Sequence, residues 1–516
     1  MPVIFGLISL SFGQDSNWDL QNYHLYNPYA LLNNRVGFDL APAGFQSYFS
    51  PMIDVPAWLL YRYLPAPAVG FLMGLFHGLC YPLLYKITQA VLPAARIKVL
   101  ILLSIAGCLT ANFLSSLGNG MGDVTTAVFV LAGIYCALLH LNQPVKPGNG
   151  LRFIALSGLL LGLAAGLKLT NIVFCAALFF ALLMVKRSLS AYHFRSLIVF
   201  SLSTLAGLLL IDGYWLWKMW DTFGNPLFPQ MNSVFKSDLV GNITVMDQSW
   251  RPKTLTDFLL WPFIFTFNAK KVGQINVIEP LWIFGYILTI AFAASRLLKG
   301  VSVSLAPGKR LILWFTVTAY LLWMGLFSIF RYVVPMEMLL PLLCYFIASS
   351  FSHKKITAAA AIVILFSSLF SVFRGSPSWG HEKWHRSAFR VEQPAVSPAD
   401  STVVVLIGGD PVYGWLIPSL PPSMRFTQVA SNFPETPEYM RQQQTMVTAK
   451  GSQEFAIIPA STQKDYIINN HNYIVDANKK IISRGWHLDT ESCKVYSAYM
   501  GKKYKPYQFC RVLVAE

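Results

Sequence analysis

FIALSGLLLGLAAGLKLTNIVFCAALFFALLMV, residues 153–185, is an apolar stretch whose only charged residue is Lys168. An α-helix needs about 20 mainly apolar residues to cross the hydrocarbon core of a bilayer. The stretch is interrupted near its middle by Lys168 and the polar residues that follow it. We therefore predict two closely spaced membrane spans, at about 153–169 and 171–185.

The composition of the whole chain agrees with a membrane protein. The 516 residues are 54% hydrophobic and only 12% charged, whereas a soluble domain carries about 25% charged residues. One large soluble core is excluded, because soluble cores split into domains beyond about 250–300 residues. The net charge of +16 does not indicate nucleic-acid binding here, since the basic residues lie in short tracts between apolar runs.

Nine further apolar runs bring the predicted number of transmembrane helices to about eleven. The first, residues 1–13, reaches only about 20 Å at 1.5 Å per residue and lacks the charged flank and cleavage site of a signal peptide. We interpret it as the outer half of a first helix that starts upstream or packs short. The other eight spans are predicted at about 67–85, 99–117, 124–142, 196–217, 280–298, 311–330, 335–350 and 356–373.

The connections between the spans fall into two classes. Five alternate loops contain no Asp or Glu and carry the basic residues Lys86, Arg96, Lys98, Lys146, Arg152, Lys186, Arg187, Arg195, Arg296, Lys299, Lys309, Arg310, Lys354 and Lys355. By the positive-inside rule these loops are cytoplasmic. The outer face then has the loops 14–66, 118–123 and 218–279 and the tail 374–516, with 256–278 as an interfacial or re-entrant stretch.

The tail, residues 374–516, is predicted to be a small α/β domain. Its β-rich runs are TVVVLIGGD (402–410), EFAIIPA (454–460) and YIVDA (473–477). The glycine pair of the first run is too weak a signal to predict a nucleotide site. If the tail faces an oxidising compartment, Cys493 and Cys510 are expected to form a disulfide; two unrelated free thiols are the alternative.

The first outer loop, residues 14–66, is the most informative segment for function. Its ionisable residues include His24 and four carboxylates, Asp15, Asp19, Asp39 and Asp54. Carboxylates beside a membrane span are costly unless they are hydrated, paired or functional, and the aromatic and amide side chains around them suit a sugar-binding surface. The alternative is that the acids cap helices and the aromatic residues form an interfacial belt.

Several segments, taken in order, resemble one enzyme superfamily. An Asp follows the first span and leads into an interfacial helix, and the later segments are GNGMGDVTTAVFVLAGIY (118–135), LLGLAAGLKLTNIVF (160–174), GNPLFPQMNSVFKS (224–237) and FSIFRYVVPMEMLLPLL (327–343). The pattern resembles the GT-C superfamily of polyprenyl-phosphate-sugar-dependent glycosyltransferases, which includes protein O-mannosyltransferases and lipid A aminoarabinose transferases. The third segment is similar to one in uncharacterised bacterial members. The resemblance covers residues 1–373 and implies an all-α polytopic catalytic domain.

The resemblance also implies a general base in the first outer loop, Asp19 or Asp15. Asp19 is favoured because the segment DLQNYHLY surrounds it with groups that could orient an acceptor or a metal, namely Asn22, Tyr23 and His24. Asp123 would position the acceptor or share a divalent ion, Mg or Mn, with Asp19; the metal stays open, and an interfacial hydrogen-bonding role is the alternative for His24. A base would take the acceptor's proton, and a nearby carboxylate would stabilise the oxocarbenium-like transition state.

The leaving group that the resemblance implies is a lipid phosphate. Positive charge on the outer face would stabilise it, and Lys168 and Arg331, the latter followed by Tyr332, lie at outer helix ends in the matching segments. The alternative for both cations is snorkelling to the interface.

The sequence therefore predicts an inverting glycosyltransferase of the bacterial inner membrane, with its active site and tail in the periplasm. The partners would be membrane lipids, a polyprenyl-phosphate sugar and an acceptor that is a glycan, lipid or protein. A transporter or flippase, a polymerase or ligase of lipid-linked envelope glycans, and a non-catalytic scaffold are the alternatives. The chain has no phosphate-binding P-loop, zinc-ligand spacing or nucleophile elbow.

Overall fold

The computed structural model describes residues 1–142, 150–185, 190–243, 248–299, 305–351, 353–397, 401–462 and 466–514. Three of the basic residues used to predict orientation, Lys146, Lys186 and Arg187, lie outside the described residues.

Helices dominate the first part of the chain. They are α1 (Pro2–Phe12), α2 (Tyr26–Leu32), α3 (Val55–Tyr63), α4 (Ala66–His77), α5 (Cys80–Val91), α6 (Ile97–Cys108), α7 (Ala111–Ser115), α8 (Asp123–Asn142), α9 (Arg152–Leu167), α10 (Ile172–Val185), α11 (Ala191–Phe223), α12 (Asn232–Phe235), α13 (Leu255–Phe267), α14 (Leu281–Lys299), α15 (Pro307–Leu326), α16 (Val334–Ser349) and α17 (Lys354–Phe370). Short helical turns lie between some of them, at Leu20–His24, Gly44–Tyr48, Leu169–Asn171 and Phe330–Val333.

Six helical stretches among the described residues are long and apolar enough to cross a membrane. They are Ala66–Val91, Asp123–Asn142, Ala191–Phe223, Leu281–Leu298, Phe330–Ser349 and Lys354–Gly375. Shorter apolar helices accompany them at Pro2–Phe12, Ile97–Cys108, Arg152–Leu167, Leu169–Val185 and Leu255–Phe267. The protein is thus a mostly helical membrane protein, and the count of about eleven spans stays a prediction.

Glycines allow α9 and α11 to pack backbone against backbone. A Cβ atom added at Gly162 would lie 2.0 Å from the carbonyl oxygen of Thr204, and one added at Gly207 would lie 2.3 Å from that of Leu159. Small residues permit such close approach inside a membrane, where van der Waals packing drives helix association. The contact fixes the position of α9 and therefore of Lys168, which follows its last residue.

The tail contains the larger sheet. Its strands are β4 (Thr402–Ile407), β5 (Arg425–Val429), β6 (Gln453–Pro459), β7 (Trp486–Leu488), β8 (Lys494–Tyr496) and β11 (Tyr507–Val514), in the order β5-β4-β6-β11-β7, with β8 also paired to β11. β4 is parallel to β5 and β6, whereas β11 is antiparallel to its three partners. The helices of the tail are α18 (Pro437–Val447) and α19 (Tyr466–Ile481).

There are two smaller sheets. One joins the first outer loop to the tail, and the other lies within the tail. The first pairs β1 (Gln14–Asp15) with β2 (His381–Glu382), and the second has β3 (Phe389–Val391), β9 (Ala498–Met500) and β10 (Lys503–Tyr504). A disulfide links Cys493 to Cys510, whose Cα atoms are 4.1 Å apart. The predicted strands at 402–410 and 454–460 correspond to β4 and β6.

The prediction of a β-rich run at 473–477 was wrong, because this segment lies within α19. Ile474, Ala477 and Ile481 are all buried, and their spacing of three and four residues follows one face of a helix. The β-branched residues of a five-residue window suggested a strand, but the helical period of the longer segment determined the structure.

A buried ion pair fastens the first outer loop to the tail. Arg35 donates to both carboxylate oxygens of Asp39, at 2.5 and 2.7 Å, and the two side chains are 2% and 0% exposed. The guanidinium also donates to the carbonyl oxygens of Pro422 and Met424, and Asp39 accepts from the backbone N–H of Phe426. The pair therefore satisfies backbone groups of the tail as well as its own charges.

We expect Asp39→Asn to destabilise the protein, because removing one partner of a buried ion pair costs about 3–5 kcal/mol. The measurement is the midpoint of thermal unfolding of the purified protein in detergent. Glu438→Gln is the control, since Glu438 pairs with Arg441 on the surface and exposed pairs contribute little. Equal midpoints for Asp39→Asn and the parent would contradict the expectation.

Candidate active site

A buried ion pair joins the first outer loop to the start of α16. Asp19 precedes the turn Leu20–His24, and Arg331 lies in the turn Phe330–Val333. The Arg331 Nη1 donates to Asp19 Oδ2 at 2.5 Å, although the residues are 312 positions apart in the chain. The Asp19 side chain is 9% exposed and the Arg331 side chain is 13% exposed. Two charges that are largely removed from water are stable only when each is paired with an opposite charge or with a ligand.

A second ion pair lies between Lys168 and Asp123, whose Nζ and Oδ1 atoms are 2.6 Å apart. Asp123 is the first residue of α8, and Lys168 has an extended backbone between α9 and the turn Leu169–Asn171. The Lys168 Nζ also donates to the carbonyl oxygen of Met121 at 2.9 Å. Lys168, which interrupts the apolar stretch 153–185, therefore lies beside the loop 118–123.

Tyr332 connects the two pairs. The centroid of its ring is 5.1 Å from the Lys168 Nζ and 5.5 Å from the guanidinium carbon of Arg331. We call Asp19, Asp123 and these three residues the ion-pair cluster. The structure thus brings together five of the residues that the sequence singled out from separate segments.

His24 and Asp54 extend the cluster. The His24 Nδ1 is 2.7 Å from Asp54 Oδ1, and its Nε2 is 4.0 Å from Asp19 Oδ2. The ring of Tyr23 lies 4.2 Å from the His24 ring, and the Asn22 Oδ1 is buried without a protein partner. The sequence analysis identified Asp54 only as one of four carboxylates in the loop and did not predict its contact with His24. Its position immediately before α3 was the available indication that it has a structural or functional role.

Electrostatics keep Asp19 ionised. Burial raises the pKa of its carboxyl, but the positive charges of Arg331, His24 and Lys168 outweigh burial and bring the pKa below its ordinary value. Burial lowers the pKa of His24, and the carboxylates of Asp54 and Asp19 more than offset it, so this pKa is raised. Asp19 is therefore a carboxylate held among cations.

Asp15 has a different environment. Its carboxylate accepts from the backbone N–H and the side-chain amide of Asn17 and from the backbone N–H of Gly120 at 2.6 Å. Its backbone pairs with His381 in the short β1–β2 sheet. These contacts tie the first outer loop to the second and to the tail, so Asp15 is placed to support the site.

Trp379 completes the surroundings of Arg331, and the sequence reasoning missed it. The guanidinium carbon lies 5.6 Å from the Trp379 ring. The Trp379 Nε1 and the Arg331 Nε are both buried donors without a protein partner. Trp379 follows the last span by only a few residues, and an aromatic residue at that interface was the available signal.

Several other buried polar atoms near the cluster also have no protein partner, namely Asn119 Nδ2, Asp54 Oδ2 and Asp123 Oδ2. A buried polar group without a hydrogen bond costs about 1–3 kcal/mol, and native proteins hold few of them. A polar ligand or an ordered water at this place could satisfy these donors and acceptors.

Comparisons with known proteins find similarity at the level of structure. The chain is similar to the oligosaccharyltransferase of Archaeoglobus fulgidus in its apo form, with 12% identity, a TM-score of 0.49 and coverage of 98% of this chain and 74% of that one. It is also similar to ArnT from Cupriavidus metallidurans bound to undecaprenyl phosphate, with 11% identity, a TM-score of 0.43 and coverage of 99% and 96%.

A third structure is the archaeal oligosaccharyltransferase AglB from Archaeoglobus fulgidus in complex with an inhibitory peptide and a dolichol-phosphate, with 11% identity, a TM-score of 0.45 and coverage of 97% and 74%. No protein family profile and no curated protein sequence matches the chain. At such identities the similarity assigns no role to any residue.

The residues of the cluster do not fit the divalent ion that the resemblance left open. The described residues contain no group of three or more His, Cys, Asp or Glu side chains placed to hold a metal. Asp19 and Asp123, the two ligands considered, instead face the cations Arg331 and Lys168. Mg²⁺ and Mn²⁺ require several oxygen ligands, and here the charge of each carboxylate is already balanced.

The raised pKa of His24 predicts a pH-dependent contribution to stability. Its interaction with Asp54 and Asp19 is fully present below the unfolded pKa of about 6.5 and is lost as the pH rises through the higher folded pKa; Lys168 opposes protonation. The difference in unfolding midpoint between the parent and His24→Gln should therefore be larger at low pH than at high pH. His471→Gln, at an exposed position of α19, is the control, and a His24→Gln difference independent of pH would contradict the prediction.

Proposed function

We propose that this protein is an integral membrane glycosyltransferase that transfers a sugar from a polyprenyl-phosphate donor to an acceptor on the outer face of the membrane. The observation that carries the proposal is the ion-pair cluster, in which a buried carboxylate and two cations from distant segments meet. The absence of acidic residues from the five basic loops supports a cytoplasmic position for those loops. The cluster and the tail would then face the periplasm of a bacterial inner membrane.

The cations would bind the phosphate of the lipid donor. Arg331 has an unpartnered Nε, and Trp379 adds an unpartnered Nε1 beside it. Guanidinium groups hold phosphates through paired, charge-assisted hydrogen bonds. Lys168 would add a second positive charge, and both cations would stabilise the negative charge that develops on the leaving phosphate.

Asp19 would act as the general base. A phosphate that engages Arg331 competes with Asp19 for the guanidinium, so the Asp19 carboxylate loses its closest stabilising charge and becomes more basic. Asp19 would then take the proton of the acceptor's nucleophilic group as that group bonds to the anomeric carbon. The bond from this carbon to the phosphate oxygen breaks, the electron pair leaves with the polyprenyl phosphate, and attack from the opposite face inverts the configuration.

The other residues would position these groups. Asp123 would balance the charge of Lys168 and hold it near Tyr332 and Arg331, and His24 with Asp54 would fix the turn that follows Asp19. Tyr23 and Asn22, on the same turn, would contact the acceptor. Asp15 would hold the second outer loop in place. A transporter or a scaffold would not need a carboxylate and a cation pair at the outer ends of the helices.

We expect Asp19→Asn to lower kcat by about 10²- to 10⁴-fold, the usual contribution of a general base, while binding of polyprenyl phosphate is retained. The measurement is sugar transfer by the purified protein with a panel of polyprenyl-phosphate sugars. Asp476→Asn, on the exposed side of α19, is the control. Full turnover by Asp19→Asn and loss by Asp15→Asn would move the base to Asp15, and full turnover by both would overturn the carboxylate-base mechanism.

We expect Arg331→Gln to weaken binding of polyprenyl phosphate by about 10- to 150-fold, because a hydrogen bond to a charged group contributes about 1.5–3 kcal/mol. The measurement is direct binding of polyprenyl phosphate to the protein in detergent. Arg251→Gln is the matched control, since Arg251 donates to the carbonyl oxygen of Gly325 and to no residue of the ion-pair cluster.

Arg331→Gln leaves the buried Asp19 carboxylate without its partner and could displace the loop that carries it. The double variant Asp19→Asn/Arg331→Gln removes this unpaired charge, so any loss of binding that remains is due to the missing guanidinium. If the double variant folds as the parent does and binds polyprenyl phosphate equally well, Arg331 does not hold the phosphate.

A further inference from the structure

A concave surface lies along α3, outside the ion-pair cluster. It consists of two cavities of about 350 and 360 Å³ that share Tyr61, Arg62 and Phe389. We call it the α3 groove. One wall is α3 of the first outer loop, and the other is formed by the tail, including the turn Tyr413–Ser419. The groove reaches Pro65, the residue before the candidate membrane span Ala66–Val91.

Aromatic rings line the groove. They belong to Tyr29, Trp58, Tyr61, Phe389 and Trp415. The ring of Phe389 is 5.3 Å from that of Tyr61 and 6.4 Å from that of Trp415, so the three form a continuous surface shared by α3 and the tail. Tyr29, Trp58 and Trp415 are buried beneath this surface, whereas Tyr61 and Phe389 are partly exposed. The two partly exposed rings can offer apolar faces to the C–H faces of sugars, and nearby polar groups then bind the hydroxyls at the sugar edges.

The charged residues that line the groove are both basic. Arg62 and Arg386 line it, and no Asp or Glu does so. Both arginines are exposed, and neither forms a salt bridge with any residue that the structure describes. The guanidinium of Arg62 lies over the ring of Trp58, 4.8 Å from its centroid. Two unpaired guanidinium groups favour an anionic ligand, since they bind carboxylates and phosphates through paired hydrogen bonds.

The groove begins close to the ion-pair cluster. Asp54, which immediately precedes α3, contacts His24 at 2.7 Å, and His24 lies 4.0 Å from Asp19. Trp58 and Arg62 follow Asp54 by four and eight residues, which is about 6 and 12 Å along a helix at 1.5 Å per residue. Asp54 and His24, both buried, therefore join the first turn of α3 to the cluster.

We propose that the α3 groove binds the anionic carbohydrate part of the acceptor. This inference rests on the proposed glycosyltransferase function. The aromatic surface selects sugar rings, and the unpaired Arg62 and Arg386 select a glycan that carries acidic groups. The walls extend from the membrane span to the tail, which suits an extended glycan better than a phospholipid headgroup.

The test measures binding of trigalacturonate, an acidic trisaccharide, to the full chain in detergent by quenching of tryptophan fluorescence, with its neutral methyl ester as the matched ligand. Trigalacturonate should bind at least tenfold more tightly than the ester. Arg62→Gln/Arg386→Gln should weaken trigalacturonate binding at least tenfold, and Arg62→Lys/Arg386→Lys should retain most of it. Arg441→Gln, an exposed arginine of α18, is the control for an unspecific charge effect.

Absence of trigalacturonate binding, or equal binding by the parent and the double Gln variant, would overturn the proposal. Displacement of the trisaccharide by phosphatidylglycerol nanodiscs but not by phosphatidylcholine nanodiscs would also overturn it and assign the groove to a lipid headgroup. The assay contains no donor, so its result is independent of turnover. If trigalacturonate binds and Asp19→Asn also retains full turnover, the proposed role of the α3 groove stands and the proposed role of Asp19 as the base is rejected.

Discussion

The contact between Asp19 and Arg331 is the interaction on which the rest of the site depends. Removing two charges from water is costly, and only close pairing offsets the loss of hydration. The pair joins a loop near the N-terminus to a turn 312 residues later, so the helices between them must bring both ends to the same place. The close packing of α9 on α11 then fixes Lys168 beside this pair.

Charge balance explains how such a site can be both stable and reactive. The two carboxylates Asp19 and Asp123 offset the two cations Lys168 and Arg331, so no uncompensated charge is buried. In the proposed function, an arriving phosphate would add negative charge to this balanced set. The added charge would favour uptake of a proton by the cluster, and Asp19, having lost part of its contact with Arg331, would be the group best placed to accept it.

The sequence was a good guide to those features that are local. Apolar runs of spanning length predict membrane helices because each run satisfies its own backbone hydrogen bonds, and alternating loop charge predicted that Asp19, Lys168 and Arg331 would share a face. Contacts between distant segments were not predictable. Nothing near Asp15 in the chain indicates that Gly120 donates to it, and nothing near Trp379 indicates that its ring lies beside the guanidinium of Arg331.

The tail does more than cover the helices, because it holds both sides of Asp19. Trp18, the residue before Asp19, donates from its indole nitrogen to Asp410 in the tail. On the other side, Lys505 of the tail donates to Gln21 at 2.7 Å. A loop carboxylate otherwise has many conformations available, and holding one of them costs entropy. By supplying hydrogen-bond partners on either side, the tail offsets that cost and keeps the carboxylate beside Arg331, where the proposed mechanism has it compete with the donor phosphate for the guanidinium.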